Sequence, residues 1–426
     1  MPDVSLLADA AANDPQLWPD FLAICDCGGR LAGTESERKA FALLLERGKA
    51  ATGKPGVSIP VPYAGWQSTS ASLELPDGPA ACNPLLRSIA TQADGLTAEV
   101  IDLGRGTPEE FAAHRSDIRG RIVLVRHELM FAAGTIHRRR KYLAAVEAGA
   151  VGFLIAGPVP GQLVAGSSGR QEGSGIPAAG IAPETARRLR RTPRGYPIAT
   201  LHIATEEYPA ETQTLVFDIP GQKDEWIVLS AHVDGHALGE SAMDNATGLA
   251  CVLAASRALA QTAGSRRRGI RLAFFSVEEW ALTGSAQYVA SLSQGQRAAV
   301  ALNVNLDSVG GSPNLSALTS GFSGVEPFLL EVAESAGIGL RTVRPLMENS
   351  DHANFARAGI PAFRLVAGYD EPNANLRLVL TPGDRRETVA EDELRQAARL
   401  TTAIVAAACD VSPAEAADWR SGTKQG

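Results

Sequence analysis

The sequence predicts an α/β protein: a three-layer α/β/α arrangement around a mixed, mostly parallel sheet, with a β-rich domain inserted into it. Three observations carry this. From about Glu211 onward, strand-like and helix-like stretches alternate, the pattern of a largely parallel sheet covered on both faces. Between about Val61 and Thr212 the texture changes to short β-branched runs separated by glycine and proline, which reads as strands and turns. The chain has 426 residues, 45% hydrophobic and 20% charged, with a mean hydropathy of -0.02. That is room for more than one domain and a composition able to bury large cores.

Taken in order, Asp14 to Cys25 and Glu35 to Lys49 read as helices joined by CGGRLAGTESE, a glycine-rich link ending in a Thr/Ser cap signal. Gly53 to Pro62 breaks that pattern. The next block supplies LTAEVIDLG, GRIVLVRH, VGFLIAG and ATLHIAT as strands, with a helix over RRRKYLAAVEAGA feeding one of them. Its histidines, His114, His127, His137 and His202, fall in no metal-ligand spacing and read as surface or packing residues. Past Glu211 the expected elements are a strand at Trp226–Ser230, a helix at Ala246–Gln261, a strand at Ile270–Ser276 and a helix from Glu279. They continue with a strand at Val300–Leu306, a helix at Gly324–Ala336, a strand at Ala362–Val366 and a closing helix at Glu391–Ala408. The expected division is residues 1–60 and 213–426 as the main domain, with 61–212 inserted.

A formal net charge of -7 and a pI near 5.6 argue against nucleic acid or an anionic membrane as main partner. The basic runs His137–Lys141, Arg187–Arg191 and Arg266–Arg268 then read as solvated surface. Five scattered cysteines fit neither a disulfide framework nor a zinc ribbon, so reduced thiols are expected. The N-terminus shows no basic region followed by an apolar one, and no later segment is apolar enough to span a bilayer. The expectation is a cytoplasmic protein with a small-molecule substrate, with homo-oligomerisation left open.

The chemistry starts at WIVLSAHVDGHALGESAMDNATG, Trp226 to Gly248, which delivers His232, Asp234 and Asp244 from a buried strand into the loop before an apolar helix. Sites in open α/β sheets form at that edge. His232 and Asp234 stand two apart on an extended segment, where one can ligate a metal while the other holds the imidazole tautomer; a bare H-x-D also arises by chance. SVEEW places Glu278 and Glu279 after a strand. One can bind a metal and the other act as general base, or the pair can be an acidic helix start favoured by the macrodipole. NLDSVGG ends a third strand with Asp307, and ENSDHANF adds Ser350, Asp351 and His352 before a fourth. A lone strand-end Asp is often a turn former, but four such endings in succession are not easily turns.

The ordered set AHVDG, SAMDNATG, SVEEWALTGS, NLDSVGG and SDHANF resembles the M28 family of metallopeptidases, the aminopeptidase and glutamate carboxypeptidase group. The likeness runs from about Glu211 to the C-terminus, Gly28–Gly33 resembles the family's N-terminal portion, and residues 61–212 resemble a protease-associated domain. The resemblance implies that His232 binds one metal with Asp234 behind it, that Asp244 bridges two metals, and that Asp307 completes the first shell. Glu279 would bind the second metal and Glu278 would be the general base. The family's second metal also takes a histidine from an H-T-x-x-D motif, and the matching LRLVLTPGDRRETV carries Leu380 there. An aliphatic side chain has no lone pair, so the second site keeps Asp244 and Glu279 unless His236 or His352 moves in.

The expectation is therefore one divalent metal per chain, zinc or manganese with cobalt or iron as alternatives. It would serve hydrolysis of a C–N bond in a small amine or amide, an activated aromatic amine of the nitroanthranilate type included, by metal-activated water with Glu278 as base. A dinuclear aminopeptidase or carboxypeptidase is the first alternative, and a non-catalytic binding protein on the same fold the second. His352, Arg364, Tyr369 and Arg377 are substrate-facing candidates, since arginine forks match carboxylates; surface arginines are the plain reading.

Overall fold

The computed structural model describes residues 3–170, 175–193 and 195–422, which divide into two compact units. The first comprises Met1–Tyr63, Glu211–Leu376 and Asp384–Gly426, the second Ala64–Ala210 and Arg377–Gly383. The chain passes between them inside two long strands, Val57–Leu75 and Ile198–Ile219. The short segment Arg377–Gly383 clusters with the second unit, whereas the sequence division had left it in the main domain.

In the first unit four parallel strands form the centre: Ala362–Ala367, Val300–Leu306, Trp226–His232 and Gly269–Phe275, in that spatial order. The end of Ile198–Ile219 adds antiparallel to Gly269–Phe275. On the other side Leu315–Leu318 pairs antiparallel with Ala362–Ala367 and carries Leu340–Val343 beyond it. The central strands are apolar almost throughout, as strands buried on both faces must be. One face is covered by Thr247–Ala260, which packs against Leu17–Asp26, Glu35–Thr52 and Glu391–Asp410. The other carries Thr283–Ser291 and His352–Arg357 over a core of Val228, Ala273, Phe275, Tyr288 and Phe355. The three-layer α/β/α reading therefore holds for this unit. Register places His232 opposite Phe275 and Leu306 opposite Leu365, so the carboxyl ends of the strands, with Asp307 and Glu278 just beyond them, lie along one edge.

Two expected boundaries move. The residues expected to break the pattern, Gly53 to Pro62, instead enter the long strand Val57–Leu75. The helix expected from Glu279 begins at Thr283, because Val277, Ala281 and Leu282 have φ of 51°, 61° and 62°, a left-handed backbone that no helix contains.

In the second unit Leu96–Asp102, Ile122–Arg126, Gly152–Ala156 and Ala178–Ile181 run parallel, with Cys82–Pro84 antiparallel at one edge and Ile198–Leu201 antiparallel at the other. Their core is Val100, Ile122, Leu124, Leu154, Ile181 and Leu201. Among the described residues no helix is long and apolar enough to cross a membrane.

Candidate metal centre

His232 is the last residue of its strand and is 1% exposed. Its Nδ1 lies 2.9 Å from the carbonyl oxygen of Asp234; a carbonyl only accepts, so Nδ1 carries hydrogen and Nε2 is left as the ligating atom. Nε2 is 3.0 Å from Asp244 Oδ1 and 3.6 Å from Asp307 Oδ1. Ligand atoms of these three buried residues all lie within 4.8 Å of one another. Nε2 and Asp244 Oδ1 face each other, buried and without hydrogen-bond geometry, an arrangement that a cation between them relieves. Burial alone would lower the His232 pKa, but Glu278 and Asp307 push it well above the ordinary histidine range. The same negative field draws a metal ion, and one imidazole with two carboxylates suits a divalent transition metal.

Asp234 does not join that cluster. Its Oδ1 and Oδ2 accept the backbone N–H groups of Glu278 at 3.0 Å and Glu279 at 3.1 Å, so it fixes the turn that carries both glutamates. Glu279 is buried and Glu278 half-buried. Burial, followed by repulsion from Glu279, Asp307 and Asp351, raises the Glu278 carboxyl well above its usual range against the pull of His232. A carboxylate with a raised pKa is a better proton acceptor.

Asp244 sits in the turn Ala242–Ala246, and the Asp244–Asn245 peptide is cis. Two residues that the sequence reading passed over frame this turn. Asp384 accepts from Met243 N–H at 2.7 Å and Asp244 N–H at 3.3 Å, and burial pushes its carboxyl up to about 7. Arg30, fully buried, donates to the carbonyls of Val233, Glu240 and Ser241 at 2.7–2.8 Å, clamping the loop between His232 and Asp244. The signals were present: Arg30 stands among the glycines of CGGRLAG, and Asp384 closes LTPGD. Gly29 packs against the carbonyl of His236, where a Cβ would collide.

Asp307 is held from the neighbouring strand. Arg364 Nη2 lies 3.0 Å from its Oδ1, Arg364 Nε donates to its carbonyl at 3.2 Å, and Ser308 Oγ donates to Oδ1 at 3.1 Å. Burial pushes Asp307 upward, but Arg364 and then His232 outweigh it and hold it below the usual carboxylate range. Arg364 is 1% exposed, so it supports Asp307 and does not present a fork to substrate. His352 and Asp351 are fully buried; desolvation takes His352 down to about 3 and Asp351 up to about 7. Tyr369 turns to Arg341, whose guanidinium lies 5.1 Å from its ring. The His236 N–H donates to Ser241 Oγ at 3.1 Å. Arg377 and Leu380 belong to the second unit, where the Leu380 carbonyl accepts from Ala165 N–H at 2.7 Å.

Residues 214–405 match peptidase family M28 and residues 79–189 match the PA domain. Aminopeptidase YwaD of Bacillus subtilis is 27% identical over 394 residues, 89% of this chain and 81% of the relative. Carboxypeptidase Q of Bos taurus is 28% identical over 282 residues, 63% of this chain and 59% of the relative. The solved structure of BSAP, a zinc aminopeptidase from Bacillus subtilis, superposes with a TM-score of 0.74 at 24% identity and covers 95% of both chains. The chain is thus M28 metallopeptidase-like over residues 214–405 and similar to the PA domain over residues 79–189, a metal-dependent hydrolase by these likenesses, with the His232, Asp244 and Asp307 cluster at its strand ends.

Proposed function

We propose that the protein hydrolyses a C–N bond in a small amine or amide at a centre holding one divalent metal, zinc first among the choices. The observation that carries this is the hydrogen bond from the Glu278 N–H to Asp234 Oδ1, which ties a carboxyl of raised pKa to the edge where His232, Asp244 and Asp307 converge. His232, Asp244 and Asp307 would hold a divalent cation, which would supply Lewis-acid activation of water. Glu278 accepts the water's proton and returns it to the departing nitrogen. Asp234 keeps Glu278 and Glu279 in place, while Arg30 and Asp384 keep Asp244 in place. Leu380 offers no lone pair where the family motif has a histidine, which supports one ion over two. Zinc rests on the donor set and on BSAP being described as a zinc aminopeptidase.

A second reading, an aminopeptidase with two ions, is favoured by the likeness to YwaD across 89% of the chain. Purified protein loaded with zinc or manganese, assayed against small amides, nitro-substituted arylamines and aminoacyl anilides, separates them. Turnover of the first two classes, abolished in Glu278→Gln, is the expected result. Preference for the anilides replaces it with the aminopeptidase, and a metal-loaded protein that turns over none of them leaves a binding protein.

A further inference from the structure

Glu37 is 3% exposed, and a carboxyl so deeply placed has to be hydrogen-bonded. It stands in the first turn of Glu35–Thr52, three residues after the N-cap Thr34. A glutamate at that position ordinarily turns back to the backbone at its own helix start. One oxygen does so: Oε2 accepts from Gly33 N–H at 2.7 Å. The other oxygen leaves the helix. Oε1 accepts from the Thr212 hydroxyl at 2.7 Å and from the Ser276 hydroxyl. Thr212 lies on Ile198–Ile219, and Ser276 is the residue between the strand Gly269–Phe275 and the left-handed Val277. Capping accounts for the first of these bonds and not for the other two.

The same glycine-rich link grips the other loop of the metal centre. Arg30 bonds the carbonyls of Val233, Glu240 and Ser241. Its own backbone N–H donates to Ser36 Oγ at 2.8 Å, and Ser36 Oγ donates to the Cys27 carbonyl, which fixes the link across the start of the helix. A short stretch of chain thus carries both a side chain that holds the loop between His232 and Asp244 and one that holds the strand end two residues before Glu278.

We infer that the link from Gly28 to Glu37 is a brace between the two loops of the metal centre, in which Glu37, through Ser276, is a positioning residue for the turn that carries Glu278 and Glu279. Asp234 fixes that turn by its backbone N–H groups, and Glu37 fixes the strand end from which it springs. The catalytic consequence rests on the metal-dependent hydrolase reading; the bracing does not.

Ser276→Ala in the full-length chain removes the bond to the turn and leaves Glu37 bonded to Gly33 and Thr212. Hydrogen exchange of the peptide Phe275–Leu282, read by mass spectrometry, is expected to be faster by about tenfold, as the loss of one hydrogen bond to a charged group implies, while Thr247–Ala260 exchanges as in the native chain. With zinc added, kcat is expected to fall by about 10–100-fold while KM and zinc affinity stay within about twofold of native, on whichever of the small amides, nitro-substituted arylamines or aminoacyl anilides the native chain turns over. Glu37→Gln keeps an acceptor for Gly33 N–H and offers two N–H groups to the hydroxyls, so it is expected to behave as the native chain does, whereas Glu37→Ala is expected to match or exceed Ser276→Ala. Native exchange in Ser276→Ala would overturn the brace, as would Glu37→Gln exchanging as fast as Glu37→Ala. A loosened turn with native kcat, or a zinc affinity that falls along with kcat, would overturn the positioning role. A native chain that turns over none of these substrates would overturn the hydrolase reading instead, and the exchange data would still decide the brace.

Discussion

Asp234 accepts the N–H groups of Glu278 and Glu279 with its two oxygens, so one side chain sets the direction of both glutamates, while its Oδ1 stands 3.8 Å from His232 Nδ1. In Asp234→Asn one of those N–H groups meets an amide N–H₂. The expected outcome is a kcat lower by about 10–100-fold with metal affinity kept, read by steady-state kinetics beside calorimetry; a kcat within about twofold of native would remove this role. Glu278→Gln keeps the shape and removes the proton acceptor. Its kcat should fall by about 10²–10⁴-fold while metal binding is unchanged, and a variant as active as the native chain would rule out Glu278 as base. The identities of these residues were legible in the sequence, because each stands at a strand end. Their supports were less so: Arg364 bonds to a residue 57 positions away, and Asp384 bonds to Met243 at 141, separations that no local pattern records.

Asn245 joins two elements. Its Nδ2 donates to the Leu306 carbonyl at 2.8 Å, and its Oδ1 accepts from Gly248 N–H at 3.0 Å and Ser308 N–H at 3.3 Å. The start of Thr247–Ala260 is thereby fastened to the strand end bearing Asp307. Gly248 allows the close approach: a Cβ there would stand 2.6 Å from the Leu306 carbonyl oxygen. Gly248→Ala should push helix and strand end apart, lowering stability by about 1–3 kcal/mol and weakening metal binding. Urea unfolding and a zinc titration test this together, and an unchanged zinc affinity would show that the helix start does not position the centre. The turn Val277–Leu282 is the other element whose geometry matters. Three left-handed residues without glycine cost about 1–2 kcal/mol each, and the bonds from Asp234 help to hold the turn there. Periodicity reads this stretch as the start of a helix, since tertiary bonds and not local preference decide it.

At the scale of the whole molecule, metal and pH act on stability in separate ways. A cation that binds only the folded chain should stabilise it by about 2.7 kcal/mol at a free concentration of 100 times its Kd; thermal melts with chelator and with added zinc test this, and equal midpoints would count against a structured site. His127 in the second unit is buried, with Nε2 3.3 Å from Arg138 Nη1. Burial, then Arg138 and Lys141, hold its pKa well below the ordinary range. The unfolded chain takes up this proton near pH 6.5 and the folded chain refuses it, so stability falls as the pH drops below that value. In His127→Gln the loss between pH 8 and pH 5.5 should be smaller, and parallel curves from urea melts would show that His127 contributes nothing to it.

The sequence by itself determined the alternation of strands and helices, the inserted domain and the order of ligand-type residues, because hydrophobic period and strand-end polar residues are local properties of the chain. It also recorded that Leu380 stands where the family motif has a histidine. The tertiary structure decided which atoms converge. Parallel register brought His232, Asp244 and Asp307 to one edge, gave the Nδ1 hydrogen of His232 to a carbonyl, and turned Arg364 from a substrate candidate into the buried counter-charge of Asp307. Convergence of this kind depends on distances between residues far apart in sequence, which only the packed sheet fixes.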